Sequence, residues 1–190
     1  MHLLSLPDAV FVHKWAKRYA TDVDDDKEYA VLLGYCQAQL RRDMVLTHVT
    51  HGLILDILDW KSRMAWFRLR FSRESLRNVS DAIEDAYQMS GDTERLTRLT
   101  DVYGIGVPIA STFLHFLSPE HYPIIDVRVT RALRSLGYPK FSPASKAAYT
   151  PYAALLRAIA NRISRRKGAL RKVDMALFAY DVKRNGPIAR

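Results

Sequence analysis

The amino-acid sequence predicts an all-α fold, and three observations carry that expectation. Apolar residues recur at three- and four-residue spacing through most of the 190 residues, the period of a helix with one buried face. Serine, threonine or aspartate precede these runs and glycine or proline follow several of them, as helix starts and stops require. No run reads as a strong strand, and neither repeats nor low-complexity tracts interrupt the pattern. The length suits one compact helical fold, with room for two helical lobes around a cleft, and residues 1–190 are taken as a single domain.

Ser5-Leu6-Pro7-Asp8 is a start signal for a helix from about Asp8 to Ala20, with Val12, Trp15, Ala16 and Tyr19 on one face. The acidic cluster Asp22, Asp24, Asp25, Asp26 and Glu28 lacks the spaced ligands, glycine and distal glutamate of a calcium loop. It reads as a solvated stretch at the positive end of the next helix. That helix should run from about Lys27 to Arg42, with Tyr29, Val31, Leu32, Tyr35 and Leu40 as core candidates. Cys36 lies in its apolar run and reads as a buried, inert thiol. Thr47 or Thr50 could cap a helix holding Leu53, Ile54, Ile57 and Leu58. His48 and His51 have a spacing that can hold zinc, but a third ligand is missing, and no metal site is expected.

Residues 60–77 mix aromatics with bases. Trp60, Trp66 and Phe67 stand among Lys61, Arg63, Arg68, Arg70, Arg73 and Arg77, against the single acid Glu74. Guanidinium groups bind phosphate and aromatic faces stack on bases, although buried tryptophans rimmed by arginines would give the same pattern. A helix beginning at Ser75 or Ser80 should reach Met89, with Val79, Ala82, Ile83, Ala86 and Tyr87 inward. Ser90-Gly91-Asp92-Thr93 should end it and cap the next.

Residues 93–137 read as helix, Gly-Ile-Gly turn, helix, extended link, and a helix opened by Asp126. Leu96, Leu99 and Val102 precede the turn, Ile109, Ala110, Phe113, Leu114 and Leu117 follow it, and Val129, Ala132, Leu133 and Leu136 lie beyond Asp126. Glycine at 104 and 106 permits positive φ and leaves room for a phosphate or another backbone. Pro108 suits the first turn of a helix, so the free N–H groups of that turn point outwards and form an anion site. Pro119 and Pro123 keep the link before Asp126 extended and stiff. Gly137-Tyr138-Pro139 should stop the following helix, and residues 140–149 should form a loop. A helix from about Pro151 to Ser164 would carry Tyr152, Leu155, Leu156, Ile159 and Ile163 and end in the basic run Arg162, Arg165, Arg166 and Lys167. Those cations suit a helix C-terminus and could also meet DNA. Asp174 should open a last helix through about Lys183, with a frayed tail from Asn185 to Arg190.

A net charge of +9 and a pI near 9.8 point to nucleic acid or another polyanion. The lone Cys36 excludes an internal disulfide and any four-cysteine zinc or iron–sulfur centre. The N-terminus lacks the positive lead and long apolar run of a secretory signal, and no stretch approaches 18 apolar residues, so an intracellular protein that does not enter membranes is expected.

The hairpin stretch resembles the helix-hairpin-helix DNA glycosylase superfamily. The matching residues are Tyr103-Gly104-Ile105-Gly106, Ala110 in the alanine-containing helix, and Asp126-Val127-Arg128-Val129 about 20 residues on. The resemblance implies an all-helical glycosylase in which Asp126 is the catalytic carboxylate and Gly104, Ile105, Gly106 and Val107 grip the DNA backbone. Lys61, Arg63, Arg68, Arg70 and Arg128 would add phosphate contacts, and Trp66, His121 and Tyr122 are candidates to line a base pocket, although each reads more readily as a packing residue. The partner would be double-stranded DNA and the protein a monomer. The family's hairpin often binds a monovalent cation through its carbonyls, which residues around Tyr103 to Gly106 could do; no other cofactor and no iron–sulfur cluster are implied.

The chemistry fits those residue types. Breaking an N-glycosidic bond leaves positive charge on the sugar, which a fixed carboxylate stabilises while orienting a water. The target base must first leave the stack. Family members that also cut the strand use a lysine two residues after the second glycine, and here that position is Pro108. The resemblance therefore implies a monofunctional enzyme with water as nucleophile. Aspartate is also a preferred helix cap wherever helices start, so a purely structural cap is the other reading of Asp126. A DNA-binding module that keeps the hairpin and the basic surface without chemistry is the alternative.

Overall fold

A computed structural model describes residues 7–22, 26–42, 51–62 and 73–186. All the regular elements among them are helices: α1 (Ala9–Asp22), α2 (Asp26–Arg42), α3 (His51–Lys61), α4 (Arg73–Gln88), α5 (Asp92–Thr100), α6 (Val107–Leu117), α7 (Val127–Ser135), α8 (Lys146–Ile163) and α9 (Ala169–Asn185). The chain divides into two compact units, one from Asp25 to Ser118 and one formed by Met1–Asp24 with Pro119–Arg190. Among the described residues, no helix is long and apolar enough to cross a membrane.

The Asp25–Ser118 unit is built around α6. Val107, Ala110 and every residue from Ser111 to Phe116 are buried, so this helix has no solvent face over its middle turns. It packs against α2, α3 and α5, and α4 packs against α3 and α5. Ile54 and Leu58 of α3 and Ala82 and Ala86 of α4 are wholly enclosed. Each buried isoleucine or leucine contributes roughly 1.5–3 kcal/mol of transfer free energy. Two polar side chains inside this core find partners. Tyr29 Oη meets His115 Nε2 at 2.8 Å, and Gln37 Nε2 donates to the Phe116 carbonyl at 3.2 Å. Cys36 is buried here, and desolvation pushes its thiol pKa up to about 12.

Two expectations for α2 fail. Val31 is 57% exposed and Tyr35 65% exposed, because the buried row is Tyr29, Leu32 and Cys36. The two rows lie on different faces of the helix, and only one meets α3 and α6. The side-chain cap expected before α5 is also absent: the N-cap is Gly91, and Asp92 and Glu94 instead put negative charge in the first turn. Of the histidine pair, His51 is exposed and His48 lies outside the described residues.

In the other unit α9 is central and packs on α1, α7 and α8. Asp8 caps α1, accepting the Phe11 N–H at 2.7 Å, as its start signal implies. Tyr19, Met175 and Ala179 pack together, flanked by Trp15, Ala16 and Phe178. α7 ends in a Schellman turn: Tyr138 N–H bonds the Leu133 carbonyl, Gly137 N–H bonds that of Arg134, and Gly137 has φ 88°. α8 begins earlier than the sequence suggests. Ser145 caps it, accepting from Ala148 N–H at 3.3 Å, so residues 146–149 are helical and Pro151 lies inside the helix. Proline there loses a backbone bond, at a cost of about 3 kcal/mol in a free helix, which the buried Tyr149 and Tyr152 on either side help to offset. α9 also starts early, at Gly168 rather than Asp174. Asp174 is not a cap; it is buried within the helix and pairs with Arg171 at 2.7 Å.

Candidate functional site

The hairpin lies wholly in the Asp25–Ser118 unit. Leu96 and Leu99 bury the inner face of α5, and the chain then turns through Val102 to Ile105. The Ile105 N–H closes this turn on the Val102 carbonyl at 3.1 Å. Gly104 has φ 87°, a left-handed conformation at the position of the turn that calls for glycine. Ile105 is 4% exposed and anchors the turn to the core, while Tyr103 beside it is 94% exposed. Gly106 is the N-cap of α6, with φ −85° and ψ 171°, and its carbonyl accepts the N–H groups of Ile109 and Ala110. Pro108 sits in the first turn, as expected.

The two glycines differ in what holds them. Gly104 is required by its positive φ. Gly106 is not, since its backbone is extended and an added Cβ would meet nothing nearer than Pro108 Cδ at 3.7 Å. The Ile105 and Val107 side chains are buried, so these residues offer a partner only backbone. Lys61 is half-buried in the last turn of α3. Arg63, Trp66, Arg68 and Arg70 lie outside the described residues.

Asp126, Arg128, His121 and Tyr122 belong to the other unit. Asp126 is the N-cap of α7, and its Oδ1 accepts the Val129 N–H at 2.8 Å. The carboxylate is half-buried at the positive end of the helix. The link before it is pinned residue by residue. The Gly168 N–H donates to Glu120 Oε1 at 2.7 Å, and Arg157 Nη1 donates to the His121 carbonyl at 3.0 Å. Tyr149 Oη donates to the Pro123 carbonyl at 3.0 Å, and Tyr152 Oη to that of Ile124 at 2.6 Å. Burial pushes the Tyr152 phenol well above its ordinary pKa, with the negative charges of Asp174 and Asp126 adding to the effect, so it remains a donor. Tyr149 and Arg157 carry no motif, and their part in positioning the link has no signal in the sequence.

Two expected site residues, Arg128 and Tyr122, are differently placed from what a DNA contact or an open pocket needs. Arg128 donates to Asp181 at 3.3 Å and to the Gly186 carbonyl at 3.1 Å, and its guanidinium lies over the Phe178 ring. It is thus engaged inside the fold. Tyr122 is buried, with its ring edge-on to His121. His121 is exposed, and Arg157 Nη1 approaches its Nε2 at 3.3 Å. No three His, Cys, Asp or Glu side chains among the described residues are grouped to hold a metal ion.

A Gly-Ile-Gly hairpin followed by an aspartate-capped helix, with helices the regular elements among the described residues, has the features of the helix-hairpin-helix glycosylase class. The family model described as "Putative 8-oxoguanine DNA glycosylase OGG-like protein" matches residues 61–178, more than half of the chain and inclusive of both the hairpin and Asp126. The chain belongs to that family. No curated protein and no solved structure matches it.

Proposed function

We propose that the protein is a monofunctional DNA glycosylase that removes 8-oxoguanine, or a closely related oxidised purine, from duplex DNA by hydrolysis. The observation that carries this reading is a single family match spanning both the hairpin and Asp126. The family's description supplies the lesion class, and Asp126 supplies the chemistry.

In this reading the outward N–H groups at Gly106 and Val107 hold a backbone phosphate, and carbonyls around Tyr103 to Gly106 hold a monovalent cation against it. Lys61, Arg63, Arg68 and Arg70 add phosphate contacts, while Trp66 and His121 are candidates to line the pocket of the flipped base. Arg128 and Tyr122 contribute through packing, because their side chains are already engaged or enclosed. The Asp126 carboxylate faces the sugar as the glycosidic bond breaks, stabilises the charge at C1′ and orients the water that adds there. The base departs with the bonding electron pair and is protonated, leaving an abasic site. A carboxylate about 4 Å from a unit positive charge is worth about 4 kcal/mol at an effective dielectric constant of about 20. That corresponds to roughly a 10³-fold rate effect. Pro108 stands where a Schiff-base lysine would be needed, so no strand cleavage accompanies excision.

The test is single-turnover excision from a duplex with one 8-oxoguanine, developed with hot alkali, for wild type and Asp126→Asn. Asparagine caps a helix about as well as aspartate, so the fold is retained while excision falls by roughly 10²-fold or more. Strand breaks should appear only after alkali, and borohydride should trap no covalent complex. Undiminished excision by Asp126→Asn would reject the mechanism. Duplex binding without excision of any oxidised base would favour a non-catalytic binding module.

A further inference from the structure

The turn between α8 and α9 carries Arg165, Arg166 and Lys167, all exposed, with Arg162 exposed in the last turn of α8. No carboxylate among the described residues pairs with any of the four. Three arginines elsewhere in this unit find acids. Arg128 and Arg131 share Asp181, and Arg171 holds Asp174. Four cations crowded into six residues repel one another, and the C-terminal end of α8 offsets this only in part.

The turn itself is fixed. Ser164 Oγ accepts the Arg166 N–H at 3.1 Å, the Ala169 N–H approaches the Arg166 carbonyl at 3.3 Å, and Gly168 takes φ 82°. A carboxylate is also already seated beside it. The Gly168 N–H, at the N-cap of the 17-residue α9, donates to Glu120 Oε1 at 2.7 Å. The chain's own anion thus occupies the point where backbone and helix dipole favour negative charge. Glu120 is exposed, so an incoming anion can exchange for it with little rearrangement.

We infer that the α8–α9 turn is a second phosphate site for the DNA backbone, separate from the hairpin. One phosphate replaces Glu120 at Gly168, and its neighbours meet Arg165 and Arg166, whose guanidinium groups match phosphate oxygens two at a time, and the ammonium of Lys167. Such contacts set affinity and register and read no base. This site rests on the DNA reading proposed above.

The experiment measures duplex affinity against salt concentration for wild type and two triple variants of equal charge change. One carries Arg165→Gln, Arg166→Gln and Lys167→Gln; the control carries Lys14→Gln, Lys17→Gln and Lys183→Gln, all exposed positions. The turn variant should reduce the slope of log affinity against log salt by about 2.7, at roughly 0.9 per lost phosphate contact, and bind at least about tenfold more weakly at low salt. Its excision rate on saturating duplex should match wild type. The control should change the slope by less than about one. Glu120→Gln, which removes the charged competitor, should tighten binding more than Glu28→Gln does. If wild type binds and excises but both triple variants weaken binding equally, the turn is no site and the functional reading stands. Equal responses of Glu120→Gln and Glu28→Gln would remove the exchange at Gly168. If no form binds duplex DNA, the functional reading falls and this site with it.

Discussion

Replacing Asp181 with alanine removes a carboxylate that accepts four hydrogen bonds from three residues. Asp181 is fully buried in α9. Its Oδ1 accepts from Arg131 Nε at 2.7 Å and from Asn185 Nδ2 at 2.7 Å, and its Oδ2 accepts from Arg131 Nη2 and from Arg128 Nη1, the latter at 3.3 Å. The carboxylate raises the pKa of Arg131, through the side-chain hydrogen bond above all. Breaking a buried ion pair from one side typically costs about 3–5 kcal/mol, because a charge is left without its partner. Here the lower end applies. The Arg131 side chain is 34% exposed and can regain water, and Arg128 keeps the Gly186 carbonyl and the Phe178 ring. A loss of about 3 kcal/mol follows, which for a chain of this size lowers the melting temperature by roughly 6–12 °C. Urea unfolding followed by helical circular dichroism, with the melting curve alongside, measures both. A loss below about 1 kcal/mol would show that solvent already carries the charge of Arg131 and that the pair does not hold α7 to α9.

Other outcomes follow from the same geometry. Gly104→Ala forces a side chain into positive φ and should cost about 1–2 kcal/mol in the unfolding midpoint. Gly106→Ala should unfold as wild type does yet bind duplex DNA markedly more weakly, since only an approaching partner needs that space; unchanged binding would place the DNA elsewhere. Tyr152→Phe leaves the buried Ile124 carbonyl without its donor and should cost about 1–3 kcal/mol by urea titration. Cys36 should resist thiol reagents at neutral pH until the protein is unfolded. Its folded pKa lies above its unfolded value, so the unfolded state gives up its proton first and stability should fall from about pH 9 towards 12, a decline that Cys36→Ala reduces.

Much of this fold was legible because helix signals are local. Val79, Ala82, Ile83 and Ala86 define one face of α4 by spacing alone, and all four are buried. The Gly104 turn and the Asp126 cap follow from short motifs whose geometry depends on neighbours in the chain. What escaped depends on distant residues. Val31 and Tyr35 are as apolar as Tyr29 and Leu32, and the helices packed against α2 decide which row is buried. Pro151 reads as a helix start, but Ser145 caps α8 earlier, and Tyr149 and Tyr152 are anchored to carbonyls 26 and 28 residues away. Asp174 looks like a cap until Arg171 supplies its partner, and Gly168 opens α9 with no side chain to announce it. The engagement of Arg128 is set by Asp181, 53 residues further on. The anchors of the Asp126 link are spread over α8 and the start of α9, beyond the reach of any motif.

The unit that carries Asp126 is discontinuous in sequence, and this has a consequence during synthesis. When the ribosome has released residues up to Ser118, the chain that forms the Asp25–Ser118 unit is complete, hairpin included. At that moment α1 has emerged, but α9, on which it packs, has not been made. The remaining residues take about 4–14 s at typical elongation rates. Throughout that interval the aromatic face of α1, with Trp15 and Tyr19, lacks its native cover, which makes it a natural client for a holdase. The link to Asp126 acquires its last anchor only when Gly168 appears, so a nascent chain can display a finished hairpin well before its candidate carboxylate is fixed in place.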